Sequence, residues 1–385
     1  MPPVDLIVVE LCDPARRSFQ TDRVSEDTAG RWGEGRLSYT PAMPLSEVQH
    51  QPRAIEALKS ALKSGSVHHA WLFHGPEGVG KELAAVRFAQ ALTCPEQPME
   101  GCGVCSSCKR VKGRNHPDVT WVMPEDEQVQ RGLAGRSDFD HTPSRDIRVE
   151  QVRALGERLS FRPLEAKHKV ALLVNAHAMN AQAQNALLKT LEEPPRDTIL
   201  VLVTSAIDKL LPTIRSRCTK AAFGPLPVDF IAQQLKATKK KLTDEEAQQA
   251  AAMSGGSLKR AMDFDPAALG IRREVIERFE ALVPGDARGW LQFAGAFGDG
   301  RANAEVCLDV LTVWFRDVAV AQVGQGGLIN ADLAALCEVA ATRVSPASLH
   351  RRTSLIDEAR NAMTQRNGAV RLQLERMLIE MLSVP

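Results

Sequence analysis

Four cysteines, Cys94, Cys102, Cys105 and Cys108, follow the spacing C-x7-C-x2-C-x2-C. Two overlapping C-x2-C steps turn three thiolates toward one point, and Cys94 closes the set across the intervening loop. Four thiolates at about 2.3 Å complete the shell of a tetrahedral ion and leave no open position, so the expected metal is a structural Zn²⁺. The bland alternative is a reduced, metal-free cluster. His116 is a possible substitute ligand, although Asn115-His116-Pro117-Asp118 reads better as a turn.

A second constellation runs from His74 to Glu82, HGPEGVGKE. Gly75, Gly78, Gly80 and Lys81 fit a phosphate-binding loop, in which backbone N–H groups and the lysine cradle phosphates and a terminal Ser or Thr holds Mg²⁺. Here Glu82 stands at the hydroxyl position, where a carboxylate adds repulsion beside the phosphates. The acidic residues needed at the end of a second strand are also missing, because Val174 and Asn175 occupy that place. Without both metal-side groups, neither bound Mg²⁺ nor turnover is expected. Two readings stay open: a loop kept as a turn joining strand to helix, and ATP binding without hydrolysis. A third candidate is Arg217, at the end of Leu211-Pro212-Thr213-Ile214-Arg215-Ser216-Arg217-Cys218. By itself it reads as a solvated cation at a helix C-terminus.

The elements that must position these groups are legible from periodicity. Ala54, Leu58 and Leu62 share a helix face that Gly65 stops. A strand over 70–73 feeds the glycine loop, and residues 83–92 read as the helix it opens into. Strands are expected at 119–123, 169–174 and 198–203, with helices at 145–160 and 180–193. The stretch after the second strand, through Pro143, is too rich in Gly, Asp and Arg to be expected in the core. Buried strands alternating with helices predict a mostly parallel sheet in a three-layer α/β domain. Past Pro225 only helical patterns follow, with a break near Pro266.

The net charge of +1 excludes a globally basic nucleic-acid binder. Apolar runs are strand-length, far short of a membrane span, and no secretory leader is recognisable, so a cytoplasmic location is expected. Residues 1–42 show no sustained period and read as an extension, disordered or loosely docked, ahead of a domain that starts near Met43-Pro44-Leu45. No strand-end carboxylate cluster suited to a two-metal polymerase is evident.

HHAWLFHGPEGVGKE, the four-cysteine insert, NHPDV, NALLKTLEEPP and SRC occur in this order, and with them the chain resembles the bacterial clamp-loader ATPases of the AAA+ superfamily. The resemblance spans roughly residues 44–385 and is densest over 68–225. It implies an α/β AAA+ P-loop domain over 44–224 with a zinc module at about 94–116. A small helical lid over 225–266 and an all-α collar over 267–385 would follow, behind a disordered extension over 1–43. It also implies that Arg217 is an arginine finger acting in trans on a neighbour's ATP, with Thr204 and Lys259 at the two sensor positions. The implied partners are gamma/tau and delta clamp-loader subunits and, through the complex, the sliding clamp and primed DNA. Glu82, Val174 and Asn175 point to a stator-like subunit, against the alternatives of a gamma/tau-like ATPase motor or a zinc-stabilised scaffold with no part in ATP turnover.

Overall fold

The computed structural model describes residues 44–239, 242–263, 267–324, 327–365 and 369–382. The extension expected over 1–43 lies outside them. Two compact units are present: the described residues up to Pro227 together with Ser257–Lys259, and Val228–Gly256 together with the described residues from Arg260 onward.

The first unit is built on five strands, β1 (Ala70–His74), β2 (Val119–Val122), β3 (Lys169–Leu173), β4 (Thr198–Thr204) and β5 (Thr219–Ala222). They pair in the order β2-β3-β4-β1-β5, all parallel. Its helices are α1 (Pro52–Ser64), α2 (Lys81–Thr93), α3 (Ser106–Lys112), α4 (Glu125–Gln130), α5 (Val149–Ser160), α6 (Ala181–Glu192) and α7 (Pro212–Arg217). β3 and β4 are buried along their whole length, as parallel strands covered on both faces must be. On one face Leu72, Leu173, Leu200 and Leu202 pack with Val152, Leu155 and Leu159 of α5 and Leu187 and Leu191 of α6. The alternate side chains Trp71 and Phe73 turn to the other face and meet Phe88 of α2, at centroid distances of 5.6 and 6.2 Å. Every residue of α2 except Glu82 is buried. An amphipathic stripe is therefore absent from this helix, because the sheet covers one side and other elements cover the rest.

The expected three-layer parallel sheet is present, with two corrections. A fifth strand, Thr219–Ala222, went unrecognised because its burial alternates over only four residues, with Lys220 exposed. The stretch expected to lie outside the core contains α4 and the buried Arg131.

The second unit contains only helices among its described residues: α8 (Val228–Thr238), α9 (Asp244–Met253), α10 (Leu258–Asp263, from Arg260), α11 (Ala267–Glu280), α12 (Ala287–Phe297), α13 (Arg301–Val323), α14 (Ala334–Arg343), α15 (Pro346–Gln365) and α16 (Val370–Leu382). Its core centres on α13, whose Trp314 and Phe315 pack with Phe279 and Phe293. No described helix is long and apolar enough to cross a membrane.

Candidate functional site

β1 ends at His74 and the glycine loop carries the chain into α2. Gly75 has φ +144°, and a Cβ there would lie 2.1 Å from the carbonyl oxygen of Phe223. Gly78, at φ +71°, would place its Cβ 2.6 Å from the Lys259 nitrogen and from the Ser257 hydroxyl. The Leu258 N–H donates to the Gly78 carbonyl at 3.0 Å, and Lys259 Nζ reaches Glu77 at 2.7 Å. Lys81 is buried and donates to the carbonyl of Pro76 in its own loop. Gly80, with φ +96°, caps α2. The cleft lined by Gly78, Gly80, Lys81, Arg131, Val174, Asn175 and Val203 encloses about 50 Å³. A small-molecule pocket usually offers roughly 300 Å³ or more.

The side of the loop where a metal would sit is filled by an ion-pair network. Glu82 accepts from Arg114 at 2.6 Å and from Arg131 at 2.7 and 3.0 Å. Arg131 also pairs with Glu127, which in turn accepts from Asn175 Nδ2 at 2.8 Å. The Arg131 side chain is 4% exposed. Asn175 leaves β3 at φ +53°, a left-handed conformation that asparagine tolerates better than most residues. Arg131 thus bridges Glu82 and Glu127, and Glu127 in turn ties them to Asn175 just after β3.

Thr204 closes β4 beside the end of β1 and is fully buried. Its hydroxyl accepts from the Ala206 N–H at 3.1 Å and lies 3.2 Å from His177 Nδ1. Burial holds the His177 imidazole below its ordinary pKa, helped by Lys209. Arg217 lies at the end of α7, away from this cluster of groups in its bonding. Its guanidinium pairs with Glu192 of α6 at 2.7 Å and donates to the Thr213 carbonyl at 3.1 Å, and about a third of the side chain is exposed.

The four cysteines come together. Their sulfurs all lie within 4.8 Å of one another, with Cys94–Cys102 at 3.7 Å, Cys94–Cys105 at 3.8 Å and Cys102–Cys108 at 3.9 Å. A tetrahedron with metal–sulfur bonds of about 2.3 Å has edges of about 3.8 Å. None is in a disulfide. Backbone N–H groups of Gln97, Cys105 and Cys108 donate to Cys94, Cys102 and Cys105 at 3.3 to 3.4 Å. Burial opposes ionisation of Cys102, but N–H groups of Val104 and Cys105 outweigh it and bring that thiol to about 7. Cys108 is pushed up by burial and by its neighbouring thiols. A cation is what lets four such thiolates coexist, so the donor set fits a metal ion. His116 does not join them: Nε2 faces the Ser107 hydroxyl at 3.0 Å and Nδ1 accepts from the Asp118 N–H at 3.1 Å.

Sequence reasoning found the glycine loop and the thiols but missed Arg114, Glu127 and Arg131. A weak signal existed in Pro124-Glu125-Asp126-Glu127, a helix start with three acids in its first turn.

The family profile described as "DNA polymerase III, delta subunit" matches residues 50–227, and the one described as "DNA polymerase III, delta subunit, C terminal" matches 266–382. The chain is 33% identical over 292 residues to the DNA polymerase III subunit delta' of Bacillus subtilis, covering 74% of this chain and 82% of that protein. It is 37% identical over 207 residues to the subunit delta' of Pseudomonas aeruginosa, covering 52% of this chain and 57% of that one. A crystal structure of a gamma subunit-related protein from Thermotoga maritima aligns at 17% identity with a TM-score of 0.39, covering 86% of this chain and 98% of that one.

Proposed function

The chain belongs to the family of DNA polymerase III delta-prime subunits, and on that premise we propose that it works as the stator of a clamp loader. In this role it assembles with gamma/tau and delta subunits, helps place the sliding clamp on primed DNA, and lends Arg217 to a neighbour's ATP. The observation that carries the reading is the contrast between the two ends of the chemistry. Glu82, Arg131, Glu127 and Asn175 close the metal side of this chain's own loop, while Arg217 stays at the surface on a single exposed carboxylate. A guanidinium so placed can change partners at small cost, since an exposed ion pair contributes only about 0.2–1 kcal/mol. In a neighbour's site it would compensate the charge that develops on the transferring phosphoryl group, an effect of roughly 10³- to 10⁵-fold in this class.

The same network speaks against a gamma/tau-like motor. Lid (225–266) and collar (267–385) roles for the helical part are proposed with the function, the collar as the assembly surface. The cysteine set is assigned to Zn²⁺, whose chemistry here would be to tie Cys94, Cys102, Cys105 and Cys108 into one fold. Metal analysis of protein purified without chelator should find about one zinc per chain.

The decisive experiment is reconstitution with gamma/tau and delta subunits, comparing wild type with Arg217→Ala. Normal assembly with reduced DNA- and clamp-stimulated ATPase and slower clamp loading is expected. Clamp loading at the wild-type rate would refute the finger and leave a scaffold.

A further inference from the structure

α2 is held at both ends by the cysteine module. The helix has 13 residues, so its ends are about 18 Å apart. Its C-cap is the ligand Cys94, whose N–H donates to the Gln90 carbonyl at 2.9 Å. The module then folds back along the helix. Ser107 Oγ donates to the Thr93 carbonyl at 3.0 Å, and the buried Gln90 donates through Nε2 to the Cys108 carbonyl at 2.7 Å. Two residues beyond α3, Arg114 reaches Glu82 in the first turn of α2 while its guanidinium lies 4.7 Å from the centroid of Trp121.

This return path starts at the thiol cluster. α3 has seven residues, too few to persist as a helix without tertiary support. Two of the four thiols belong to its start: Cys105 is its N-cap and accepts from the Cys108 N–H. Arg114 itself sits at φ +59°, a backbone conformation that strains a non-glycine residue and persists only where its surroundings enforce it. We propose that metal binding at the four cysteines holds Arg114 on Glu82, so that the module at one end of α2 sets the rigidity of the glycine loop at the other. The inference rests on the assignment of the cysteines as zinc ligands.

Thermodynamic linkage makes the coupling measurable from either side, because whatever zinc does for the Arg114–Glu82 pair, the pair does for zinc by the same factor. The sign separates this mechanism from simple electrostatics. Zn²⁺ with four thiolates carries a formal charge of about −2, so removing the Glu82 carboxylate through space alone would favour the loaded site. Removing a brace would weaken it.

In full-length protein, zinc affinity is to be measured by competition with a chromophoric chelator. Glu82→Gln and Arg114→Ala should each weaken it by about 5- to 50-fold, and the double variant should be no weaker than the poorer single one. Glu165→Gln, which removes the exposed partner of Arg110 on the same module, should leave affinity unchanged. In wild-type protein, withdrawing zinc should speed hydrogen exchange at Ala84–Phe88 as well as within 94–116, with β4 still protected. Unchanged zinc affinity in Glu82→Gln, or faster exchange confined to 94–116, overturns the coupling. Native protein that contains no zinc instead overturns the metal assignment and the inference with it.

Discussion

Glu82 looks like a defect when the glycine loop is read against its consensus, yet it is the centre of a part-buried ion-pair network around the buried Arg131. Restoring the hydroxyl by Glu82→Thr strips Arg131 and Arg114 of a shared, part-buried carboxylate, so it should cost stability and create no ATPase. Breaking a fully buried pair costs about 3–5 kcal/mol; because Glu82 is only part-buried and Arg131 keeps Glu127, about 1–3 kcal/mol in a denaturant titration is expected. Asp118 gives a pH test. Burial raises its pKa, but N–H groups of Leu164, Ala166 and Glu165 accepted by its two oxygens outweigh this and hold it below 3.8. A depressed carboxylate contributes stability above the unfolded-state pKa and loses it as pH falls through the folded-state value. Asp118→Asn should therefore destabilise the protein at neutral pH, by about 1–3 kcal/mol, and flatten the loss of stability at the acid end. Two acid titrations superimposable after normalisation would rule this out. The four cysteines could be read from sequence because metal ligation fixes both residue type and spacing. Arg114 and Arg131 could not, since an arginine's partner 32 or 49 residues away leaves no local trace.

At the scale of elements, strands covered on both faces announced themselves as apolar runs, and β3 and β4 lie close to where the sequence places them. β5 and α4 did not, being four and six residues long and mixed in polarity. The glycine loop was legible as a loop, but its reason was not. Gly75 and Gly78 are required by the close approach of Phe223 and of the Ser257–Lys259 segment, whatever becomes of a phosphate. Both positions should consequently resist substitution even in a chain that turns over no ATP. Gly75→Ala, with a backbone oxygen 2.1 Å from the new Cβ, should lower the thermal midpoint of the purified protein far more than Gly65→Ala, which meets nothing within 4 Å and pays only for its left-handed φ of +67°. Equal losses at the two positions would mean that backbone conformation and not crowding fixes these glycines.

For the whole molecule, a P-loop unit joined to a helical unit and the family match together describe a subunit, and a subunit's chemistry has to be tested in company. Alone, the chain should hydrolyse ATP at a negligible rate, because Glu82 and Asn175 are committed to Arg131 and Glu127. In the reconstituted complex, Arg217→Ala should leave assembly and thermal stability intact, since truncation removes only an exposed ion pair and one hydrogen bond to the Thr213 carbonyl. The fall in ATPase should nonetheless be partial. On the proposed finger role only the site facing this subunit would borrow Arg217, so that site should fall by orders of magnitude while sites served by other subunits continue. Arg217→Lys distinguishes a finger from a merely positive surface. Lysine keeps the charge and can still pair with Glu192, but a point ammonium cannot present the planar fork of donors that a guanidinium offers to phosphoryl oxygens. The lysine complex should therefore assemble normally and still load clamps nearly as slowly as the alanine complex. Full rescue by lysine would reduce Arg217 to a source of favourable field at the subunit boundary.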